Sequence, residues 1–203
     1  MITIHNFARG ARGVRLFWVC EEMGLAYTAQ TVSYPPSAAY RALNPLGSVP
    51  FLEDGGVAIN ESTAIMLYLA ERYGPTPLLP PPTDAAAHAR VLQMTIFGEA
   101  SLGAALNALL IDRFAAPEGQ KGGWIVGAME GRAAQMLDYV AGIMGGNPYL
   151  AGDNFTLADI SVACAIDMWH GALGKPVPDA FADWRTRLQA RPAYRRALAA
   201  QTR

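Results

Sequence analysis

Glu61 and Ser62 place an acid and a hydroxyl side by side, directly ahead of an apolar pattern with helical spacing. The pattern passes through Ile65, Leu69 and Tyr73 and predicts a helix that begins at this pair. The N-terminus of a helix presents unpaired N–H groups and the positive end of its dipole, so it attracts a carboxylate. Glu61 can accept from an ammonium group, and the Ser62 hydroxyl adds a donor. The alternative interpretation is that this segment only caps the helix.

A proline in front of a predicted strand forms the second candidate site. The short apolar runs 51–52 and 57–59 lie on either side of a glycine turn, which predicts a hairpin. Pro50 cannot donate to a sheet, so it stands at the first position of its strand or at an irregular entry to it. Val49, which precedes the proline, is held extended. Its N–H and C=O groups are then available to another extended peptide.

The elements that position these two sites follow from the surrounding patterns. The first residues alternate as in a strand, residues 14–23 are apolar enough for a buried helix, and Gly24 closes that helix. A second strand is predicted over residues 27–32 and a short helix around residues 37–43. The predicted order is strand, helix, strand, helix, strand, strand, helix. With a proline before the third strand, this is the thioredoxin-like arrangement.

A proline-rich segment separates this region from the rest of the chain. Five prolines lie between Gly74 and Asp84, and neither a helix interior nor a central strand accepts them. We therefore expect an α/β domain over residues 1–76, a linker over residues 77–84 and an all-helical domain over residues 85–203.

The second domain is predicted to contain several long helices. Apolar residues recur at helical spacing over residues 85–113 and 124–144. In a third helix Thr156 is the expected N-cap, and Asp159 returns a hydrogen bond to it in a capping box. Two short helices are expected to follow, at residues 184–188 and 193–200.

Composition narrows the class of protein. The chain has 203 residues, of which 52% are hydrophobic, which is ample for a buried core. A formal net charge of −1 gives no electrostatic reason to expect nucleic acid or an anionic membrane as a partner. No apolar signal stretch precedes the first strand and no run of about 18 apolar residues occurs, so we expect a soluble cytoplasmic protein. Cys20 and Cys164 are interpreted as buried thiols, and no metal site is expected.

Three motifs in order resemble the cytosolic glutathione transferase family, of the bacterial type. The stretch NPLGSVPFLEDG, residues 44–55, is similar to the family's segment ending in a cis-proline. ESTAI, residues 61–65, is similar to its acid-serine motif, and FTLADISVA, residues 155–163, to the capping box of its second domain. The resemblance extends over nearly the whole chain. It implies a thioredoxin-like N-terminal domain followed by an all-helical C-terminal domain.

The resemblance also implies roles for both candidate sites. In the family, the backbone before the cis-proline pairs with the cysteinyl part of glutathione, and the acid-serine pair holds its γ-glutamyl end. Carried over by position, Val49 and Pro50 would hold the middle of the tripeptide, and Glu61 and Ser62 its γ-glutamyl amine and carboxylate. Ser48, which is shorter than the side chain of many relatives, falls where the family contacts the glycyl carboxylate. Glutathione would be the co-substrate.

The family's activating side chain is missing from its usual positions. A thiol with a pKa of about 8.5 is only slightly ionised at neutral pH without help. Aligned on EEMGL, the family's tyrosine position falls at about Asn6, its serine position at about Ala11 and its cysteine position at about Arg12. None of them carries the expected side chain. The absence of a cysteine in this turn also argues against disulfide exchange by a protein thiol.

Two substitutes are candidates for activating the thiol. Arg12, together with Arg9 or Arg15, would place positive charge at the N-terminus of the first helix, whose N–H groups add their own field. Asn6 would donate an amide hydrogen bond to the sulfur. The alternatives are a solvated turn for the arginines and ordinary turn hydrogen bonds for Asn6.

A second-substrate site is expected between the two domains. Its candidates are Phe7, the first long helix between Phe97 and Asn107, and Phe114, with ordinary core or interface packing as the alternative. The expected protein is a dimeric, cytoplasmic, glutathione transferase-like enzyme in which glutathione thiolate attacks a small hydrophobic electrophile, with a role in detoxification. A non-catalytic glutathione- or ligand-binding protein and an interaction scaffold on the same fold remain as alternatives.

Overall fold

The structure is a computed structural model and describes residues 1–8 and 12–201. Its strands are β1 (Ile2–Phe7), β2 (Tyr27–Val32), β3 (Phe51–Asp54) and β4 (Val57–Ile59). Its α-helices are α1 (Val14–Met23), α2 (Ala38–Leu43), α3 (Ser62–Arg72), α4 (Ala85–Ile96), α5 (Ala104–Phe114), α6 (Trp124–Met144), α7 (Leu157–Asp167), α8 (Ala182–Ala190) and α9 (Pro192–Ala200). Two π-helical segments, Phe97–Gly103 and Met168–Ala172, follow α4 and α7.

The chain divides into two compact units. The first contains Met1–Leu79 and Arg187–Arg203, and the second contains Pro80–Thr186. The break after Leu79 falls inside the proline-rich segment 77–84. The sequence-based boundary differs at the other end, because it assigned every residue from 85 to 203 to the helical domain, whereas the described residues from Arg187 to Gln201 belong to the first unit.

The first unit is built on a four-stranded mixed sheet with the strand order β2-β1-β3-β4. β1 runs parallel to β2 and antiparallel to β3, and β3 and β4 form a hairpin. In the sequence, α1 connects β1 to β2, because two parallel strands must be joined by a crossover connection. The predicted order of seven elements and the thioredoxin-like fold are confirmed.

Helix α1 forms the centre of this unit. It spans the predicted residues and ends at Gly24, whose φ of 65° is the left-handed conformation that glycine adopts at helix ends. The helix packs against α3 and α9. Trp18, which is completely buried, lies with its ring centroid 4.7 Å from that of Tyr194, and Arg191 binds Glu22 through two hydrogen bonds of 2.6 and 2.7 Å. These long-range contacts explain why the last helix belongs to the first unit, which no local pattern could show.

Helix α7 forms the core of the second unit. Its residues from Leu157 to Ile166 are all buried, and the predicted capping box of Thr156 and Asp159 is present. The Asp159 carboxylate also accepts hydrogen bonds from the Leu150 N–H at 3.0 Å and the Trp184 indole N–H at 2.8 Å. These bonds tie the preceding loop and α8 to the start of α7.

The first long helix of the second unit runs without interruption from Ala85 to Phe114 but changes to π geometry at Phe97, which the sequence did not predict. The Ser161 hydroxyl donates to the Thr95 carbonyl at 2.6 Å just before this change. Gly98 packs so closely that an added Cβ would lie 2.5 Å from the Ser161 oxygen. By length and hydropathy alone this helix would suffice to cross a membrane, but 44% of its most apolar window is buried inside the structure. Buried core helices of soluble proteins meet the same criteria of length and hydropathy.

Candidate functional site

The strand register of the first unit brings the predicted site residues to one end of the sheet. Leu52 and Ile59 form the last pair of the β3–β4 hairpin at this end, with Pro50 two residues before Leu52 and Glu61 two residues after Ile59. His5 pairs with Phe51, so one further step along β1 brings Asn6 level with Pro50. The proline and the acid therefore lie just beyond the same end of the hairpin, which is also the end of the sheet at which β1 finishes.

The peptide before Pro50 is held by the short helix α2. The Val49–Pro50 bond is cis, as the family resemblance implies. The Ser48 carbonyl accepts hydrogen bonds from the Tyr40 hydroxyl at 2.6 Å and from the Asn44 side-chain amide at 2.8 Å. Both donors are buried, and burial raises the pKa of Tyr40, while its hydrogen bond with Asn44 lowers it. The Ser48 side chain itself is exposed.

Sequence reasoning missed the roles of Tyr40 and Asn44. Asn44 is the C-cap of α2, and its N–H donates to the Tyr40 carbonyl. An asparagine followed by a proline at the end of a short helix is a recognisable turn signal. Because these two residues fix one side of the Ser48 peptide, they set the direction in which the next residue, Val49, presents its backbone.

Glu61 has an unusual backbone conformation at the start of α3. Its φ of 68° is the only positive value among the described residues other than glycine. Such a conformation costs on the order of 1–3 kcal/mol and is characteristic of functional sites. The Glu61 carbonyl accepts the N–H of Ile65 at 2.9 Å, so the backbone enters the helix while the carboxylate stays exposed to solvent. An exposed carboxylate is available to an ammonium group of a ligand.

Ser62 is the first residue of α3 and is bonded to Arg15. Its Oγ accepts a hydrogen bond of 2.9 Å from Arg15 Nη1. Ser62 is 3% exposed and Arg15 is completely buried. From the sequence, Arg15 was expected only to add positive charge beside the glutathione thiol. This hydrogen bond instead places its guanidinium at the acid-serine pair. The 46 residues between the two positions left no local signal for this contact.

Asn6 holds the turn that leads into α1. Its side-chain amide donates to the Phe7 carbonyl at 2.9 Å, and its Oδ1 accepts from the Gly13 N–H at 3.2 Å. Packing is tight, because a Cβ on Gly13 would lie 2.3 Å from Asn6 Cγ. The turn hydrogen bonds considered for Asn6 as an alternative are therefore present. A hydrogen bond from Asn6 to the thiol of glutathione stays a prediction.

Arg12 lies in the same turn and is half-buried. Its carbonyl accepts the N–H of Arg15 at 3.2 Å, which begins the first turn of the helix. Its role towards a thiol stays a prediction. Arg9, a candidate for additional positive charge near the thiol, and Ala11, at the family's serine position, lie outside the described residues.

The candidates for the second-substrate site do not form a single cluster. Phe97 and Phe114 lie on the same continuous helix, 17 residues apart, which corresponds to roughly 25 Å along the axis. They cannot both contact one small electrophile, so their joint assignment is wrong. Phe114 is exposed and lies beside the Arg113 guanidinium, while Asn107 is half-buried on α5. Phe7, in the first unit, packs edge-on against Tyr34 at 5.5 Å.

Phe97 instead borders a surface groove of the second unit. The groove has a volume of about 270 Å³ and lies between the π segment and α6. The Phe97 ring is 5.4 Å from the ring of Tyr139, whose hydroxyl accepts a hydrogen bond from Gln93. The residues that line the groove are Phe97, Ser101, Arg132, Gln135, Met136 and Tyr139.

Neither cysteine is suited to chemistry in the described structure. Cys20 and Cys164 are buried and not joined in a disulfide. Burial raises the pKa of Cys20 to about 12, so its reactive thiolate form is not populated at neutral pH. Within residues 1–8 and 12–201, no group of three or more His, Cys, Asp or Glu side chains is arranged to hold a metal ion.

Two family models match the chain. Residues 12–72 match the model described as glutathione S-transferase, N-terminal domain, and residues 126–192 match glutathione S-transferase, C-terminal domain. Glutathione S-transferase 3 of Zea mays is 29% identical over 212 residues, which cover 92% of this chain and 88% of that protein. Glutathione S-transferase F9 of Arabidopsis thaliana is 30% identical and covers 79% and 78% of the two chains.

A solved structure shows the same similarity. The theta class glutathione S-transferase of Xanthomonas axonopodis pv. citri, determined with glutathione bound, has a TM-score of 0.82 and 29% sequence identity. The alignment covers 97% of this chain and 96% of that one.

Proposed function

The chain belongs to the glutathione transferase family, and from this premise we propose that it binds glutathione at the sheet end formed by Pro50 and Glu61 and transfers its thiolate to a small hydrophobic electrophile. The observation that carries the proposal is the β3–β4 hairpin, whose last pair, Leu52 and Ile59, lies two residues from the cis-proline on one side and two residues from the strained acid on the other. The relatives support glutathione transferase activity as the reaction class.

Each end of this site suits one part of the tripeptide. The Val49 backbone, fixed through the Ser48 carbonyl, offers an antiparallel contact to the cysteinyl residue. The exposed Glu61 carboxylate accepts from the γ-glutamyl ammonium, and Ser62 with the first N–H groups of α3 donates to the γ-glutamyl carboxylate. The small, exposed Ser48 side chain lies towards the glycyl end.

The chemical step is attack of the thiolate on an electrophilic centre, by substitution, by conjugate addition or by reduction of a peroxide. The N-terminus of α1 and the Arg12 guanidinium supply the positive field that favours the thiolate over the thiol. No second-substrate residue is assigned, because Phe97 and Phe114 do not share one site.

A two-fold homodimer, a cytoplasmic location and a role in detoxification complete the proposal. An exposed stripe along the first long helix supports the dimer, because four of its five side chains are apolar or small and permit close approach of a second copy. The stripe consists of Ala89, Gln93, Ile96, Ala100 and Ala104.

Calorimetric titration with glutathione tests the binding site. Glu61→Ala and Ser62→Ala should each weaken binding by about 1–3 kcal/mol, the range for loss of a charge-assisted partner. Wild-type affinity in both variants would overturn the site. Product formation with a reactive aryl halide, followed by absorbance, tests the reaction. Tight binding without turnover would make the protein a glutathione-binding protein instead.

A further inference from the structure

Arg15 is a completely buried cation in the first unit. A guanidinium that loses its hydration must make hydrogen bonds that compensate, so its partners carry information about its role. One of these partners is the Ser62 hydroxyl at 2.9 Å, at the first residue of α3. The contact joins the first turn of the first unit's central helix to the acid-serine pair.

The direction of this hydrogen bond is fixed by chemistry. A guanidinium has five donors and no acceptor, and it does not lose its proton in proteins. Ser62 Oγ must therefore accept from Arg15. The hydroxyl hydrogen of Ser62 is then left to donate elsewhere, and among the described residues Arg15 is the partner that Ser62 has.

We propose that Arg15 is a positioning residue for the γ-glutamyl carboxylate of glutathione. By donating to one lone pair of Ser62 Oγ, it fixes the orientation of the hydroxyl and leaves the hydroxyl hydrogen to donate to the ligand. The first N–H groups of α3 point to the same carboxylate, and the buried positive charge of Arg15 adds to their attraction. This inference rests on the proposed function, since it concerns the same ligand.

A neutral amide in place of Arg15 would not have this effect. A glutamine can either donate to Ser62 or accept from it, so it leaves the serine hydroxyl free to turn inward. Arg15→Gln should therefore lose selectivity for the carboxylate rather than merely reduce stability.

The test is a double-mutant cycle measured by calorimetry with two ligands. The proteins are the wild type, Arg15→Gln, Ser62→Ala and the double variant. The ligands are glutathione and an analogue in which 4-aminobutyryl replaces the γ-glutamyl group, so that the amine stays and the carboxylate is missing. Arg15→Gln should weaken glutathione about tenfold. That loss should fall below about twofold in the Ser62→Ala background and with the analogue.

A matched control removes a different arginine from the same unit. Arg196 is exposed and pairs with Glu21 near the other end of α1, so Arg196→Gln should leave both affinities unchanged. An equal loss for glutathione and the analogue in Arg15→Gln would mean that Arg15 acts only through the fold, and the inference would be overturned. The same holds if the loss persists undiminished in the Ser62→Ala background.

Two further measurements separate folding from binding. Thermal unfolding of each variant shows whether it is folded, and Arg15→Met replaces Arg15→Gln in the cycle if the latter does not fold. Ser62→Ala alone must reduce the wild type's preference for glutathione over the analogue, and an unchanged preference overturns the inference whatever Arg15 does. Failure of the wild type to bind glutathione at all would instead overturn the proposed function.

Discussion

At the scale of single residues, Glu61 keeps a conformation that glycine adopts at no steric cost. Glu61→Gly should therefore raise the free energy of unfolding by about 1 kcal/mol relative to Glu61→Ala, because it relieves the positive φ. Both variants lose the carboxylate, so both should weaken glutathione binding to the same extent. Urea unfolding and calorimetry measure the two effects. Equal stability of the two variants would show that the conformation carries no strain in the unliganded protein.

Arg12 offers a second prediction at this scale. A nearby cation favours an anion by about 0.3–2 kcal/mol, and one pKa unit corresponds to about 1.4 kcal/mol. Arg12→Ala should therefore raise the pKa of the bound thiol by roughly one unit at most and slow transfer to an aryl halide at neutral pH. Arg12→Lys, which keeps the charge, is the matched control and should change the pKa less. Thiolate absorbance of bound glutathione against pH measures this.

An unmoved titration in Arg12→Ala would leave Arg12 as an ordinary turn residue. The sulfur would then depend on the backbone N–H groups at the start of α1. Asn6→Ala is a poor test of the same question, because Asn6 also bonds to Phe7 and Gly13 and its removal would loosen the turn itself.

The residues of the candidate site were predictable where the signal was local. Pro50, Glu61 and Ser62 stand next to a strand or a helix start, and their types restrict what the backbone can do there. The Arg15–Ser62 bond and the two donors to the Ser48 carbonyl were not predicted. They depend on how α1 and α2 fold back onto the sheet, and a single sequence does not encode such distances in its spacing.

At the scale of elements, Asp54 ties the hairpin to α3 and to the start of the chain. Its carboxylate accepts hydrogen bonds from the hydroxyls of Tyr68 and Tyr73 and lies 3.6 Å from the Met1 ammonium. The bond from Tyr73 contributes most to a lowered pKa of Asp54, with Tyr68 and the ammonium adding to it against the effect of burial. The same bond raises the pKa of Tyr73 to about 12.

A lowered pKa means that Asp54 stabilises the fold where it is ionised. Its contribution is present above the unfolded-state pKa of about 3.9 and is lost as pH falls through the lower folded-state value. Asp54→Asn should therefore lower the melting temperature by about 3–6 °C at pH 7. The difference from wild type should shrink below about pH 4. Melting curves over this pH range measure it.

Glu71 supplies the control for this prediction. It is an exposed acid on α3, so Glu71→Gln removes the same charge without breaking the hydrogen bonds to Asp54. Its melting temperature should stay close to that of wild type at every pH. A constant gap between wild type and Asp54→Asn down to the lowest pH would contradict the assignment.

Element boundaries were predicted well where capping residues mark them. Gly24 predicted the end of α1 and Thr156 predicted the start of α7, and the structure confirms both. The last helix begins at Pro192, one residue before the predicted start at residue 193, because proline is favoured at the first position of a helix. The π segment at Phe97 was not predicted, because it coincides with a contact between distant helices.

At the scale of the whole molecule, the order of elements was sufficient to predict the fold. A strand-helix-strand pattern followed by a hairpin and a helix allows few arrangements, and the family models and solved structures agree with the one expected. The identity of the electrophile is not predictable in this way. It depends on side chains that come together from separate parts of the chain.

Assembly provides the last prediction. If the exposed stripe on the first long helix is the dimer contact, light scattering should give twice the chain's 21.7 kDa. Ile96 is 48% exposed in the middle of the stripe. Because burying a lysine in an apolar contact removes the hydration of its charge, Ile96→Lys should shift the mass towards the monomer. Trp124→Lys replaces another exposed apolar residue of the second unit, 83% exposed, and should leave the mass unchanged. A wild-type mass near 21.7 kDa at all concentrations would contradict the dimer. If both variants dissociated the dimer equally, the stripe would not be the dimer contact.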